Sequence, residues 1–165
     1  MQTMSYCLWF DGAAQEAADF YVSVFKDSRI VNVSRYPEGS PGTPGTVMSV
    51  QFVLNGEDFL ALNGGPQYSF TPAISFVMTC DTQDEIDELW GRLTDDGQEV
   101  ACGWLTDRFG VSWQIVPRAL GEMMASPDNE ASQRAFSAMM EMKKLDVTAL
   151  RRAFEGGDAA ADPAA

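Results

Sequence analysis

Histidine does not occur anywhere in the 165 residues. Its absence removes the commonest general base at neutral pH and the commonest transition-metal ligand. Ser-His-Asp and Cys-His catalysis are excluded, and so is any zinc or iron held by imidazole. A metal site made of oxygen ligands alone stays open. Basic residues are scarce, 11 Lys and Arg against 24 Asp and Glu, for a net charge of −13. Phosphate neutralisation needs clustered cations, so neither nucleic acid nor an anionic membrane surface is an expected partner. No apolar run approaches the roughly 18 residues that cross a bilayer. The opening MQTMSYCLW lacks the basic start and small-residue cleavage site of a secretory signal. Three scattered cysteines, Cys7, Cys80 and Cys102, do not make a disulfide framework. They read as small buried hydrophobes in a reducing compartment, which places the chain in the cytoplasm.

What is present is a well-patterned globular chain, 45% hydrophobic and of single-domain length. Its most informative stretch is GWLTDRFGVSWQIVP, residues 103 to 117. Asp107-Arg108-Phe109-Gly110 supplies turn chemistry between two strands. After the turn Val111, Trp113 and Ile115 alternate with Ser112, Gln114 and Val116, the period of a strand with one buried face. Earlier, Ser5 to Phe10 predicts a strand and Asp11 an N-cap for a helix whose buried stripe is Ala14, Ala17, Ala18, Tyr21, Val24 and Phe25. Strands follow at 29–36 and 46–54, separated by PEGSPGTPG, a loop expected to be mobile. Asn55-Gly56 turns the chain into a strand at 59–63.

The order then repeats. Ala73 to Cys80 is a strand, Thr82 and Glu85 form a capping box, and Ile86, Leu89, Trp90 and Leu93 stripe a second helix. A short strand near 99–101 and the 103–117 hairpin complete the second half. Two similar modules are implied. Beyond Pro117 helices are expected, one starting at Ser126-Pro127 with Ala131, Ala135, Met139 and Met142 inward. Another is capped by Asp146 and runs to Phe154. The expected fold is α+β: two βαβββ modules forming a cleft-bearing half-barrel over residues 1–118, helices over 119–155, and a disordered tail at 156–165.

With Leu8, Leu62, Phe76 and Trp113 assigned to the helix-facing sides, the opposite faces carry Ser5, Cys7, Trp9, Ser49, Gln51, Ala61, Asn63, Ser75, Thr79, Ser112 and Gln114. Small side chains, amides and an indole suit the wall of a ligand pocket better than a solvated face. The candidate ligand-binding residues are Ser5, Trp9, Gln51, Asn63, Ser75, Trp104 and Gln114. The alternative is an enzyme using Cys7 or Cys102 as nucleophile, or Asp107 as base.

The segments WFDGAAQEAADFYVSVF, LALNGGP, AISFVMTCDTQDEIDELW, CGWLTDRFGVSWQIVP and MMEMKKLDVTALRRAFEG resemble the PhnB-like branch of the vicinal-oxygen-chelate superfamily. That superfamily includes glyoxalase I, extradiol dioxygenases, and bleomycin and fosfomycin resistance proteins. The resemblance spans residues 4 to 155 and implies the glyoxalase-like fold, a homodimer, and a name shared by many members, 3-demethylubiquinone-9 3-methyltransferase. For the dimer, Met123, Met124, Met139 and Met140 offer adaptable apolar surface. Carried over by strand position, the superfamily's metal ligands fall on Ser5, a residue near Ala61 or Asn63, Ser75 and Gln114. Hydroxyls and amides lack the charge that offsets a divalent cation's dehydration, so no metal is expected. Methyl transfer is not expected either, because FDGAAQ and NGGP do not form a glycine-rich turn between a strand and a helix. No cofactor is expected, and the partner is a small apolar or aromatic molecule.

Overall fold

A computed structural model describes residues 2–157; the expected tail from residue 158 onward lies outside them. The chain divides into two compact units, Met1–Phe70 and Thr71–Ala165. Each holds one four-stranded sheet, and the architecture is α+β, as the repeat predicted.

In the first unit the order is β1 (Tyr6–Phe10), α1 (Ala14–Val24), β2 (Arg29–Arg35), β3 (Val47–Leu54) and β4 (Glu57–Asn63). The sheet order is β1-β4-β3-β2, with β1 parallel to β4 and the other pairs antiparallel. Helix α1 buries Ala14, Ala17, Ala18, Tyr21 and Val24, so its alanines let the helix axis sit close over the strands. Tyr21 stacks on Phe52 at 6.4 Å, and Phe52 on Phe59 at 5.4 Å. The loop after β2 is closed at its neck, where Gly45 N–H donates to Tyr36 O and Tyr36 N–H to Thr46 O.

Two expectations fail here, for linked reasons. Asp11 does not cap α1; the N-cap is Ala13, and no side chain of its own helps it. Instead Asn63, at the end of β4, accepts the Ala14 N–H on Oδ1 at 2.9 Å. The strand carrying Asn63 also has the opposite phase from the one expected. Leu8 stands beside Ala61 and Trp9 beside Leu62. Ala61 is therefore the buried residue, under the alanine stripe of α1, and Leu60 and Leu62 turn to the other face. Close approach of the helix selects the smaller side chain.

The second unit repeats the plan with β5 (Phe76–Cys80), α2 (Gln83–Leu93), β6 (Gln98–Glu99), β7 (Trp104–Thr106) and β8 (Ser112–Pro117), in sheet order β5-β8-β7-β6. The capping box forms as predicted, with Glu85 N–H donating to Thr82 Oγ1 and Glu85 returning to the Thr82 N–H. Ile86, Trp90 and Leu93 are buried. The short strand is β6, which starts one residue and ends two residues earlier than expected, and Cys102 sits in the turn after it at φ +59°.

Helices α3 (Arg118–Met124), α4 (Asn129–Met140) and α5 (Val147–Phe154) finish the chain. Helix α3 falls where helix was expected beyond Pro117, although its bounds were not, and α4 begins beyond Ser126-Pro127 because Asp128 accepts from the Ala131 N–H. Asp146 caps α5 as predicted. The methionines divide: Met123 and Met139 pack into a cluster around Leu120, Leu145 and Leu150, and Met124 and Met140 remain exposed. Gln83 ties these helices to α2, accepting from Val147 N–H and donating to Leu145 O. Backbone bonds from Cys102 N–H to Met142 O and Gly103 N–H to Lys143 O, both 2.7 Å, fasten the hairpin to the same segment.

Candidate functional site

Apart from Asn63, the candidate residues lie on the face of their own sheet turned away from α1 or α2. In the first unit, strand register aligns Cys7, Leu60 and Gln51 in one row, and Trp9, Leu62 and Ser49 in the next. Ser5 and Gln51 help line a shallow groove of about 280 Å³ with Leu60 and Asp58. Asp58 is there because the phase of β4 is the reverse of the expected one, a consequence that also makes this face more apolar than predicted.

Asn63 lies on the helix-facing side, paired with Phe10, and its side chain is committed. Its Nδ2 donates to Val47 O at 3.0 Å and its Oδ1 holds the start of α1. Tyr36 fixes its backbone, donating to Asn63 O at 2.6 Å. Trp9 is on the open face but is half-covered by its own unit. Its Nε1–H donates to Gly65 O at 2.8 Å, its ring lies against Gly64, and Tyr68 meets it edge-on at 5.1 Å. Tyr68 itself is exposed, and sequence reasoning passed over it; an aromatic placed just after Gly-Gly-Pro was the available signal.

In the second unit three candidates come together. Gln114 Nε2–H donates to Ser75 Oγ at 2.9 Å, and Trp104 stands across from Gln114 in the β7–β8 register. Val77 flanks Gln114 on the other side, 54% exposed despite its apolar side chain. This gives an indole, an amide, a hydroxyl and an aliphatic group in one strip with no charged residue among them.

The nucleophile and base candidates are differently placed. Asp107 is buried, and both its oxygens are occupied: Oδ1 accepts the N–H groups of Phe109 and Val111, and Oδ2 accepts Trp113 Nε1–H at 2.8 Å. It organises the hairpin turn. Cys7 is exposed, and desolvation raises its thiol above the ordinary value. Burial, with Glu85 and Asp81 nearby, pushes Cys80 up to about 11. Cys102 places its Sγ 3.6 Å from Met140 Sδ.

Neither a metal ion nor the nucleoside cofactor of a methyl transfer fits these residues. Among the described residues no three His, Cys, Asp or Glu side chains gather closely enough to hold a metal ion. The carried-over positions supply two hydroxyls, an apolar or committed residue on β4, and an amide whose NH2 group already donates to Ser75. Gly64 and Gly65 serve the docking of Trp9, not a nucleotide cradle.

Residues 2–116 match the family model described as 3-demethylubiquinone-9 3-methyltransferase. A PhnB protein from Bacillus cereus bearing the same methyltransferase description is 40% identical, with a TM-score of 0.65 over 70% of this chain and 99% of that one. Protein PA1353 from Pseudomonas aeruginosa shares the fold at 20% identity and a TM-score of 0.59, over 71% of this chain and 98% of its own. The fosfomycin resistance protein FosX from Listeria monocytogenes shares it at 11% identity and 0.50, over 74% and 97%. No curated protein matches the chain. With a family model covering well over half its length and a PhnB relative 40% identical, the chain belongs to the PhnB-like 3-demethylubiquinone-9 3-methyltransferase family.

Proposed function

We propose that the protein binds a small apolar or aromatic molecule on its open sheet faces without the help of a metal. The observation that carries this is the strip Trp104–Gln114–Ser75–Val77. Its amide and hydroxyl are oriented by one another, and an indole and an aliphatic side chain flank them. Pre-oriented neutral polar groups within an apolar surround give hydrogen-bonding direction without a charge to desolvate. Ser5, Trp9 and Gln51 lie on the open face of the first sheet, where Leu60 and Asp58 accompany them. Asn63 acts through Trp9's sheet rather than by contact. A thermal-shift screen of aromatic small molecules should yield stabilising ligands. For the best of them, Gln114→Ala and Trp104→Ala should each weaken binding by roughly tenfold in calorimetric titration, from a lost hydrogen bond or stacking contact. Ligands indifferent to both substitutions would sink the proposal.

The alternative is an enzyme, with a thiol or carboxylate acting in the same place. Two of its three candidates are poorly placed for it: burial raises the Cys7 thiol away from the reactive thiolate, and both oxygens of Asp107 already accept hydrogen bonds, which leaves Cys102 as its nucleophile. The pH dependence has a definite sign. A raised folded-state value means the neutral Cys80 thiol favours the fold below about pH 9, and that contribution fades as pH rises towards 11. Labelling of the native protein with a thiol-reactive dye at pH 7 should therefore be slow at Cys7 and negligible at Cys80. Rapid stoichiometric loss of Cys7 or Cys102 would favour the enzyme. We further infer a homodimer working in the cytoplasm, the exposed Phe136 and Met140 offering apolar surface for cover; light scattering at micromolar concentration tests the assembly.

A further inference from the structure

The open face of the second sheet continues past Gln114. Two residues on, Val116 stands beside Thr79. At about 3.3 Å per residue, that pair lies roughly 7 Å beyond Gln114 and Val77. There the strip runs into a groove of about 590 Å³ shared with α3, whose lining includes Pro117, Leu120, Gly121 and Met124. The lining is mainly apolar. Its cation, Arg118, is already engaged: Nε–H donates to Asp81 Oδ1 at 2.6 Å, and Glu122 adds a second carboxylate to its field. An anion entering the groove meets a guanidinium already neutralised.

We propose that this groove holds the apolar end of an uncharged amphiphile whose polar end hydrogen-bonds to Gln114, an inference that rests on the binding function above and names its ligand class. The Gln114 amide oxygen is placed to accept an N–H or O–H, since the NH2 group is turned to Ser75. A charged head is disfavoured in either sign, because an amide and a hydroxyl provide no counter-charge for its lost hydration. The tail gains by leaving water for Leu120 and Met124.

Two fluorescent probes with the same anilinonaphthalene frame separate the possibilities. N-phenyl-1-naphthylamine is neutral and carries one N–H; 8-anilino-1-naphthalenesulfonate adds a sulfonate. In titrations of the intact protein the neutral probe should bind saturably and the sulfonate about tenfold more weakly or worse. Equal binding of the two overturns the uncharged class. A Cβ at Gly121 meets nothing within 4 Å, so Gly121→Phe should fold normally and fill the groove. It should weaken the neutral probe at least about tenfold with an unchanged circular dichroism spectrum and thermal midpoint. Unchanged probe affinity in that variant overturns the groove. Asp81→Asn frees Arg118 and should raise sulfonate affinity several-fold, which a neutralising role for Asp81 requires. Loss of the probe with Gly121→Phe but not with Gln114→Ala supports the groove and overturns the sheet-face function. Failure of the neutral probe to bind at all overturns both.

Discussion

Asp107→Ala should destabilise the protein by about 3–5 kcal/mol, a large part of the 5–15 kcal/mol that holds a typical domain together. The carboxylate is 3% exposed and answers three donors at once: Phe109 N–H at 2.9 Å, Val111 N–H at 3.0 Å and Trp113 Nε1–H at 2.8 Å. Alanine leaves the Val111 and Trp113 donors buried with no acceptor of equal reach, at about 1–3 kcal/mol each. The backbone bonds of the turn, Asp107 N–H to Val111 O and Gly110 N–H to Asp107 O, survive the substitution, so the loss is that of the side-chain acceptors. Asp107→Asn should cost less. Asparagine keeps an oxygen for the two backbone donors, but its NH2 group then faces the indole N–H, donor against donor. Urea denaturation followed by fluorescence measures both variants. An alanine variant within about 1 kcal/mol of the parent would show that water or a backbone shift replaces the carboxylate.

The same residue shows where sequence reading stops. In the hairpin, alternation from Val111 to Val116 was enough to assign faces, and Trp113 and Ile115 are buried as that pattern requires. The Thr82 and Glu85 capping box and the Asp146 cap were also legible, since partner and backbone lie within three residues of each other. Asp107 was read as turn chemistry and as a possible base, because nothing local says that the Trp113 indole folds back onto it and occupies its second oxygen.

Contacts across long sequence separations were the ones missed. Asn63 caps a helix that begins 49 positions earlier, so Asp11, the nearer oxygen, looked like the cap. Phe59-Leu60-Ala61-Leu62 is apolar at four successive positions, and a strand without alternation has no readable phase. Its phase is set by the alanine-rich helix above it. For the candidate site, shared strand phase brought Ser75 and Gln114 to one face from sequence alone, although the 2.9 Å bond between them was not foreseeable. Trp9 was placed on the right face, but its indole N–H is committed to Gly65 O by a loop whose path no local pattern describes.

That loop gives the second large effect: Gly64→Ala should destabilise the first unit by roughly 2–4 kcal/mol, and Trp9 is the reason. Gly64 has no unusual backbone angle, so an added methyl group introduces no conformational strain of its own. The methyl would instead fall into the Trp9 ring at Cζ2, Cε2 and Cη2. Neither side can retreat easily. Gly64 N–H is bonded to Phe10 O at 3.0 Å, and the ring is held by its bond to Gly65 O and by Tyr68 edge-on. The indole must rotate away, losing a hydrogen bond of about 1 kcal/mol and an aromatic contact of about 0.5–1.5 kcal/mol. Each of the protein's four tryptophans gives one indole N–H resonance, and the Trp9 signal should shift and exchange faster with water. A double-mutant cycle isolates the cause. In a Trp9→Ala background the clash has no partner, so Gly64→Ala should cost under about 0.5 kcal/mol and the coupling should be about 2 kcal/mol or more. Additive costs would mean that Gly64 is required by the loop itself, and that the indole is not what the glycine accommodates.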